Sequence, residues 1–188
     1  MRRLDIGCGA RKREGCIGLD RSPAADADVL ANLDRGLPFL ENSIDYVWMN
    51  HVIEHVPDFV AMMEEIWRVS RPGSVVEIRG PHFSCPEVVW GDPTHRRALT
   101  VTSFLCFTKE HDWYLTKARF HLLDCRLKRS MGEAKPKVNH IWDHPRHVFD
   151  WMIQRITNRS VLWVERAERY WCRFIGFQEI QVRLQVEK

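Results

Sequence analysis

Leu4-Asp5-Ile6-Gly7-Cys8-Gly9 joins a short apolar run to a carboxylate and a Gly-x-Gly turn, and a second apolar run, Cys16 to Leu19, ends in Asp20. Residues of these types in this order suit one kind of chemistry. Glycines at the end of a strand let backbone approach a nucleotide-like ligand, because no Cβ stands between main chain and guest. Asp20, closing the second run, is placed to accept both hydroxyls of a ribose, and Arg21 follows it at the same rim. A dinucleotide is not the expected guest. Its fingerprint needs a third glycine where this chain has Lys12, and a helix N-terminus to hold a pyrophosphate that the carboxylate of Asp5 would repel. The same carboxylate attracts an ammonium group, directly or through water. An ordinary glycine turn accounts for Gly7 and Gly9 alone, but not for Asp5 and Asp20 beside them.

The elements that must position these residues follow from periodicity. Arg3 to Ile6, Cys16 to Leu19, Ile44 to Met49 and Ser74 to Ile78 read as buried strands of a parallel sheet. Asp58 can cap a helix with apolar positions Phe59, Met62, Met63, Ile66 and Val69, which Arg71-Pro72-Gly73 would stop. Alternating strands and crossovers over residues 3 to 79 predict a doubly wound, mostly parallel α/β sheet. The connection from Gly9 to Cys16 is too short for a full crossover helix, so the first helix is expected to shrink to about a turn. The first strand begins almost at the first residue, and a partner subunit, as in a homodimer, is one way to cover that edge. Phe120 to Arg129 is expected to form a sixth strand, followed by a Gly132 to Val138 loop. Pro145 to Asn158 and Ser160 to Ile175 are expected to be helical. Ile180, Val182, Leu184 and Val186, alternating with Gln181, Arg183, Gln185 and Glu187, predict a half-buried antiparallel last strand.

These residues together resemble a small class I S-adenosylmethionine-dependent methyltransferase, with Leu4 to Gly9 matching that family's first motif. Ala27 to Leu33, Leu37-Pro38-Phe39 and Ser43 to His55, which ends in Glu54-His55, are similar to the ubiquinone-biosynthesis-like branch as third strand, loop, fourth strand and Glu-His signature. The resemblance implies a Rossmann-like fold and S-adenosyl-L-methionine as cofactor. On the matching positions, Asp5, Gly7, Cys8 and Gly9 would form its cradle and Asp20 and Arg21 the ribose end. Asn32 and Leu33 would lie beside the adenine, with Asp34 a second candidate for that contact, and Asn50 and His51 would line the methionine side. In this fold the carboxyl end of strand five faces the transferable methyl. That makes His82, in Gly80-Pro81-His82-Phe83-Ser84, and His95, in Asp92-Pro93-Thr94-His95-Arg96, candidate general bases, with Asp92 available to orient a ring nitrogen. The alternative use of Asp92 and Thr94 is local, in turn and cap hydrogen bonds. A similar pairing of Pro-His and Asp-Pro-Thr-His occurs in small bacterial methyltransferases.

Composition narrows the function. At 188 residues one domain is expected, with a cofactor half (1–80), substrate-side loops and helices (81–176) and a terminal strand (177–188). Lys and Arg number 28 against 25 Asp and Glu, a net charge of +3 too small and too interspersed to demand nucleic acid. No apolar run is long enough to span a bilayer, and no signal peptide is evident. The six cysteines are scattered without a Cys-x-x-Cys pair, which points to reduced thiols and a cytoplasmic enzyme. No metal set is expected: His140 and His144 have a helical spacing, but Pro145 interrupts it. Trp90, Phe104, Phe107, Trp113 and Tyr114 fall where the acceptor pocket is usually roofed. Trp142, Trp151, Trp163 and Trp171 raise the choice between core and a partner surface. The leading expectation is methyl transfer to a small-molecule acceptor. A nucleic-acid methyltransferase and a catalytically silent methyltransferase-fold protein are the alternatives.

Overall fold

The computed structural model describes residues 1–109, 111, 114, 116–129, 144–172 and 174–188, with backbone only for 144–148. Trp113, the Gly132 to Val138 loop, His140 and Trp142 lie outside the described residues, as do the side chains of His144 and His147.

Seven strands form one sheet: β1 (Arg3–Ile6), β2 (Ile17–Asp20), β3 (Val29–Leu30), β4 (Ile44–Asn50), β5 (Ser70–Pro81), β6 (Arg119–Lys128) and β7 (Glu179–Glu187). Their order is β3-β2-β1-β4-β5-β7-β6. The pairs from β3 to β5 are parallel, and β7 runs antiparallel to both β5 and β6. The expected mixed, mostly parallel sheet with an antiparallel last strand is therefore present. The order reverses between β1 and β4, so their carboxyl ends open the crevice where ligands bind in such sheets.

Helices α1 (Phe59–Val69), α2 (Pro86–Trp90), α3 (Val101–Leu105), α4 (His144–Thr157) and α5 (Val161–Arg166) follow, the last running into a π turn, Ala167–Trp171. Asp58 caps α1 by accepting from Ala61 N, and Ser160 caps α5 by accepting from Trp163 N. Met62, Met63 and Ile66 of α1, Phe104 of α3, Ile153 of α4 and Val164 of α5 join the inward residues of β1, β2, β4, β5, β6 and β7 in one core. Helix α1 ends at Val69, and β5 begins at once, earlier than the apolar run predicts. Its register explains this: Ile44 pairs with Ser70 but Tyr46 with Val75, so a bulge with Gly73 at φ +78° absorbs the residues expected to form a stop.

The opposite sheet face is covered by side chains in place of a first crossover helix. Arg13, in the short β1–β2 loop, lies 4.0 Å over the Trp48 ring and Arg79 lies 4.6 Å over it, while Arg3 sits 4.8 Å over Tyr46. Glu77 and Arg183 pair across β5 and β7 at 3.1 Å. Lys12 folds over Gly18 to meet Asp28 at 2.8 Å, and a Cβ on Gly18 would come within 2.6 Å of the Lys12 stem. Replacing Arg13 with Ala is expected to lower unfolding free energy by about 1 kcal/mol, the scale of a partly desolvated cation–π contact. A denaturant midpoint equal to wild type would show that the stack contributes nothing.

Candidate cofactor cavity and its histidine rim

The turn after β1 is shaped by two glycines in the left-handed region, Gly7 at φ +68° and Gly9 at +57°. Gly7 N donates to Leu19 O at 2.7 Å, tying the turn to β2. A Cβ on Gly7 would stand 2.3 Å from Val52 Cγ2, whereas one on Gly9 would meet nothing within 4 Å. Gly9 N donates to Asp20 Oδ2 at 3.0 Å and Ser22 N to Oδ1 at 2.9 Å. Two amides thus fix the Asp20 carboxylate and leave each oxygen a lone pair for a guest.

A cavity of about 270 Å³ opens here, at the β1/β4 switch point. Of the residues expected from sequence, Gly7, Asp20, Arg21, Asn32, Leu33 and His51 line it. Asp34, Val52, His55, Val56 and Thr94 complete its polar and apolar walls. Asn32 caps the turn at Leu33–Arg35 by accepting from Asp34 N at 3.1 Å, so its amide oxygen is already engaged and the Asp34 carboxylate stands beside it. The remaining expected residues sit behind or beside this wall. Asp5 is buried, its carboxylate accepting from Arg13 N at 2.7 Å, and burial raises its pKa. Cys8 is buried with Sγ 3.5 Å from Asp26 O, and burial pushes its thiol up. Asn50 is exposed at the end of β4.

His51 leaves β4 at φ +54°, a conformation that costs a non-glycine residue about 1 kcal/mol or more. Its ring is held between Glu179 at 3.1 Å and Glu54 at 3.2 Å. Burial opposes charge on the ring, but the Glu179 and Glu54 carboxylates outweigh it and lift the pKa to about 9. Glu179 was not expected from sequence: it lies 128 residues away, and only the β5–β7 register brings it here.

The three proton-handling candidates separate. His95 and Asp92 do not line the cavity but stand behind residues that do: the His95 and His55 rings are 4.7 Å apart, and His95 Nε2 is 3.9 Å from Asp92 Oδ2. Thr94, on the cavity wall, donates its hydroxyl to Asp92 Oδ1 at 2.7 Å, so the local turn reading of Asp92 and Thr94 also holds. His82 lies elsewhere. It is fully buried, with Nε2 3.0 Å from Glu168 and Nδ1 2.8 Å from Ser84 Oγ, and Glu168 also accepts from Val101 N. That arrangement ties the end of β5 to α3 and the π turn rather than presenting a base to a ligand. His82→Ala is expected to cost about 2 kcal/mol of stability by leaving the Glu168 carboxylate short of a donor. Cofactor affinity should be unchanged by calorimetry; a selective loss of affinity in a protein of normal stability would return His82 to the site.

A larger groove, about 690 Å³, lies between Phe83, Thr100, Leu162, Arg166 and Arg169 and shares no lining residue with the cavity at Gly7. Among the described residues no helix is long and apolar enough to cross a membrane.

Residues 4–78 match the family described as "Methyltransferase domain". A 40-residue segment is 45% identical to demethylmenaquinone methyltransferase of Oceanobacillus iheyensis, and a 39-residue segment is 41% identical to that of Geobacillus stearothermophilus. Each match covers 21% of this chain and only 17% of the relative. The whole fold is similar to a chain of the Haloferax volcanii complex between the Trm112 methyltransferase activator and a methyltransferase, with TM-score 0.62, 18% identity, and coverage of 100% of this chain and 83% of that one. It is also similar to a SAM-dependent methyltransferase from Archaeoglobus fulgidus, with TM-score 0.55, 19% identity, and coverage of 98% and 86%. Strand order, switch-point cavity and domain match define a class I methyltransferase fold. The likeness over residues 4–78 is to a methyltransferase domain, and the whole chain shares the fold of solved S-adenosylmethionine-dependent methyltransferases.

Proposed function

We propose that this chain binds S-adenosylmethionine in the cavity at the β1/β4 switch point and transfers its methyl group to a small-molecule acceptor. The observation that carries this reading is the Asp20 carboxylate, held by Gly9 N and Ser22 N with lone pairs left over, beside open space at Gly9. Both features fit the ribose end of the cofactor. Of the residues that line the cavity, Asp34 and Asn32 would take the adenine end and His51 and Val52 the methionine end. The bound cofactor supplies an electrophilic methyl and a thioether leaving group.

The protein's own part is to hold and orient. Val52 and Val56 keep one wall apolar, which favours exclusion of water from the reacting atoms. The acceptor is received at the His55–His95 end, where the loop from Asp92 to Arg96 closes on the cavity. Arg96 N donates to Glu54 O at 2.9 Å, fixing that loop to the turn after β4. Six free thiols support a reducing, cytoplasmic setting. The test is calorimetry of the full chain with S-adenosylhomocysteine, followed by a screen of small-molecule acceptors with methyl-labelled cofactor. Absence of binding would overturn the reading.

A further inference from the structure

Glu54, His55 and His95 converge where none of the roles above needs all three. Their ligand atoms lie within 4.8 Å of one another. Glu54 is fully buried and, among the described residues, neither carboxylate oxygen has a well-aligned hydrogen-bond donor; Oε1 stands 3.2 Å from His51 Nδ1 and 3.9 Å from His95 Nε2. The His51 ring meets Oε1 from one side, which leaves Oε2 buried with no partner among the described residues, a costly position for a carboxylate oxygen.

The histidines are held in the tautomers a cation requires. His95 Nδ1 lies 2.7 Å from Val89 O, an acceptor only, so Nδ1 carries a hydrogen and the lone pair of the neutral ring is on Nε2. His55 Nδ1 lies 2.9 Å from Thr94 Oγ1, whose own hydrogen goes to Asp92 Oδ1 at 2.7 Å. His55 must therefore donate through Nδ1, so that the lone pair of the neutral ring is on Nε2. Ring N–H groups anchored on a carbonyl and on a hydroxyl–carboxylate relay are the outer-shell pattern of metal-binding histidines.

We propose that Glu54, His55 and His95 form a binding site for a divalent transition-metal ion, with Asp92 within reach as a fourth ligand and at least one coordination position open. Two imidazoles and one carboxylate suit zinc and its first-row neighbours rather than magnesium or calcium. Ligand atoms around tetrahedral zinc sit roughly 3.4 Å apart, so binding would draw the trio together by about an ångström. Glu54 and His55 come from the turn after β4 and His95 from the loop after β5, while His51 goes to Glu179. Metal binding itself is independent of methyl transfer; that an acceptor oxygen would take the open position rests on the reading above.

The experiment uses the full chain stripped of metal, titrated with Zn²⁺ by calorimetry and with Co²⁺ by absorption. One ion per chain is expected, with visible cobalt bands but no intense near-ultraviolet thiolate band. Glu54→Gln and His95→Gln should each weaken zinc more than about a hundredfold, and Thr94→Val, which removes only the relay, by about tenfold to a hundredfold. His55→Ala, at a half-exposed position, must also abolish binding and decides the matter if the buried variants unfold. Asp20→Ala should lose the cofactor and keep the metal, so the two readings fail separately. No stoichiometric ion on folded wild type, a thiolate band from the cysteines, or affinity unchanged in the ligand variants would overturn the site.

Discussion

Asp20→Ala is expected to raise the dissociation constant for S-adenosylhomocysteine by about a hundredfold or more. The carboxylate is already oriented by Gly9 N at 3.0 Å and Ser22 N at 2.9 Å, so binding a ribose diol requires no further ordering of that side chain. Each charge-assisted bond to a hydroxyl contributes about 1.5–3 kcal/mol, and two that are not fully additive lose about 3 kcal/mol together. At about 1.4 kcal/mol per factor of ten this is just over a hundredfold. The alanine also frees two amides, loosening the turn that shapes the floor of the site. Asp20→Asn keeps one oxygen acceptor and loses the charge, so an intermediate loss, about tenfold, should be seen. Calorimetry on variants shown to be folded by thermal denaturation makes the measurement. Wild-type affinity in Asp20→Ala would remove this cavity as the cofactor site.

What the sequence made legible was whatever is local. Four apolar runs placed β1, β2, β4 and β5, Asp58 marked the start of α1, and strict alternation after Ile180 marked β7. One side of the cavity was legible for the same reason, since Gly7, Asp20 and Asn32 lie at or just after the ends of β1, β2 and β3 and strand ends converge in this topology. Long-range register was not legible. Glu179 reads as the solvent-facing start of an alternating strand, and only pairing of Pro81 with Glu179 carries it to His51. His82, a candidate base, sits in a Pro-containing loop that reads as surface, yet the π turn carrying Glu168 closes over it and leaves it fully buried. The Arg13–Trp48–Arg79 stack likewise depends on a loop folding back across two strands, for which a basic tripeptide next to a turn gives no signal.

Gly7→Ala tests whether the turn is selected for ligand access or only for backbone shape, and it should be the most damaging small substitution near the cavity. Two costs combine. A non-glycine residue at φ +68° costs about 1–2 kcal/mol. A Cβ 2.3 Å from Val52 Cγ2 is an overlap that must move either the turn or the Val52 side chain, worth about 1–3 kcal/mol more. A stability loss of about 3 kcal/mol is expected from denaturant unfolding, with cofactor binding lost because Val52 belongs to the same wall. Val52→Ala in the Gly7→Ala background should restore the steric part and leave the backbone part. Gly9→Ala separates the effects from the other side: at φ +57° it carries a similar backbone cost, but its Cβ meets no protein atom. If that open space is where the cofactor lies, Gly9→Ala should be only about 1–2 kcal/mol less stable yet bind S-adenosylhomocysteine poorly. Unimpaired binding by Gly9→Ala would mean that the space beside the turn is solvent, and that Gly7 serves the packing of Val52 alone.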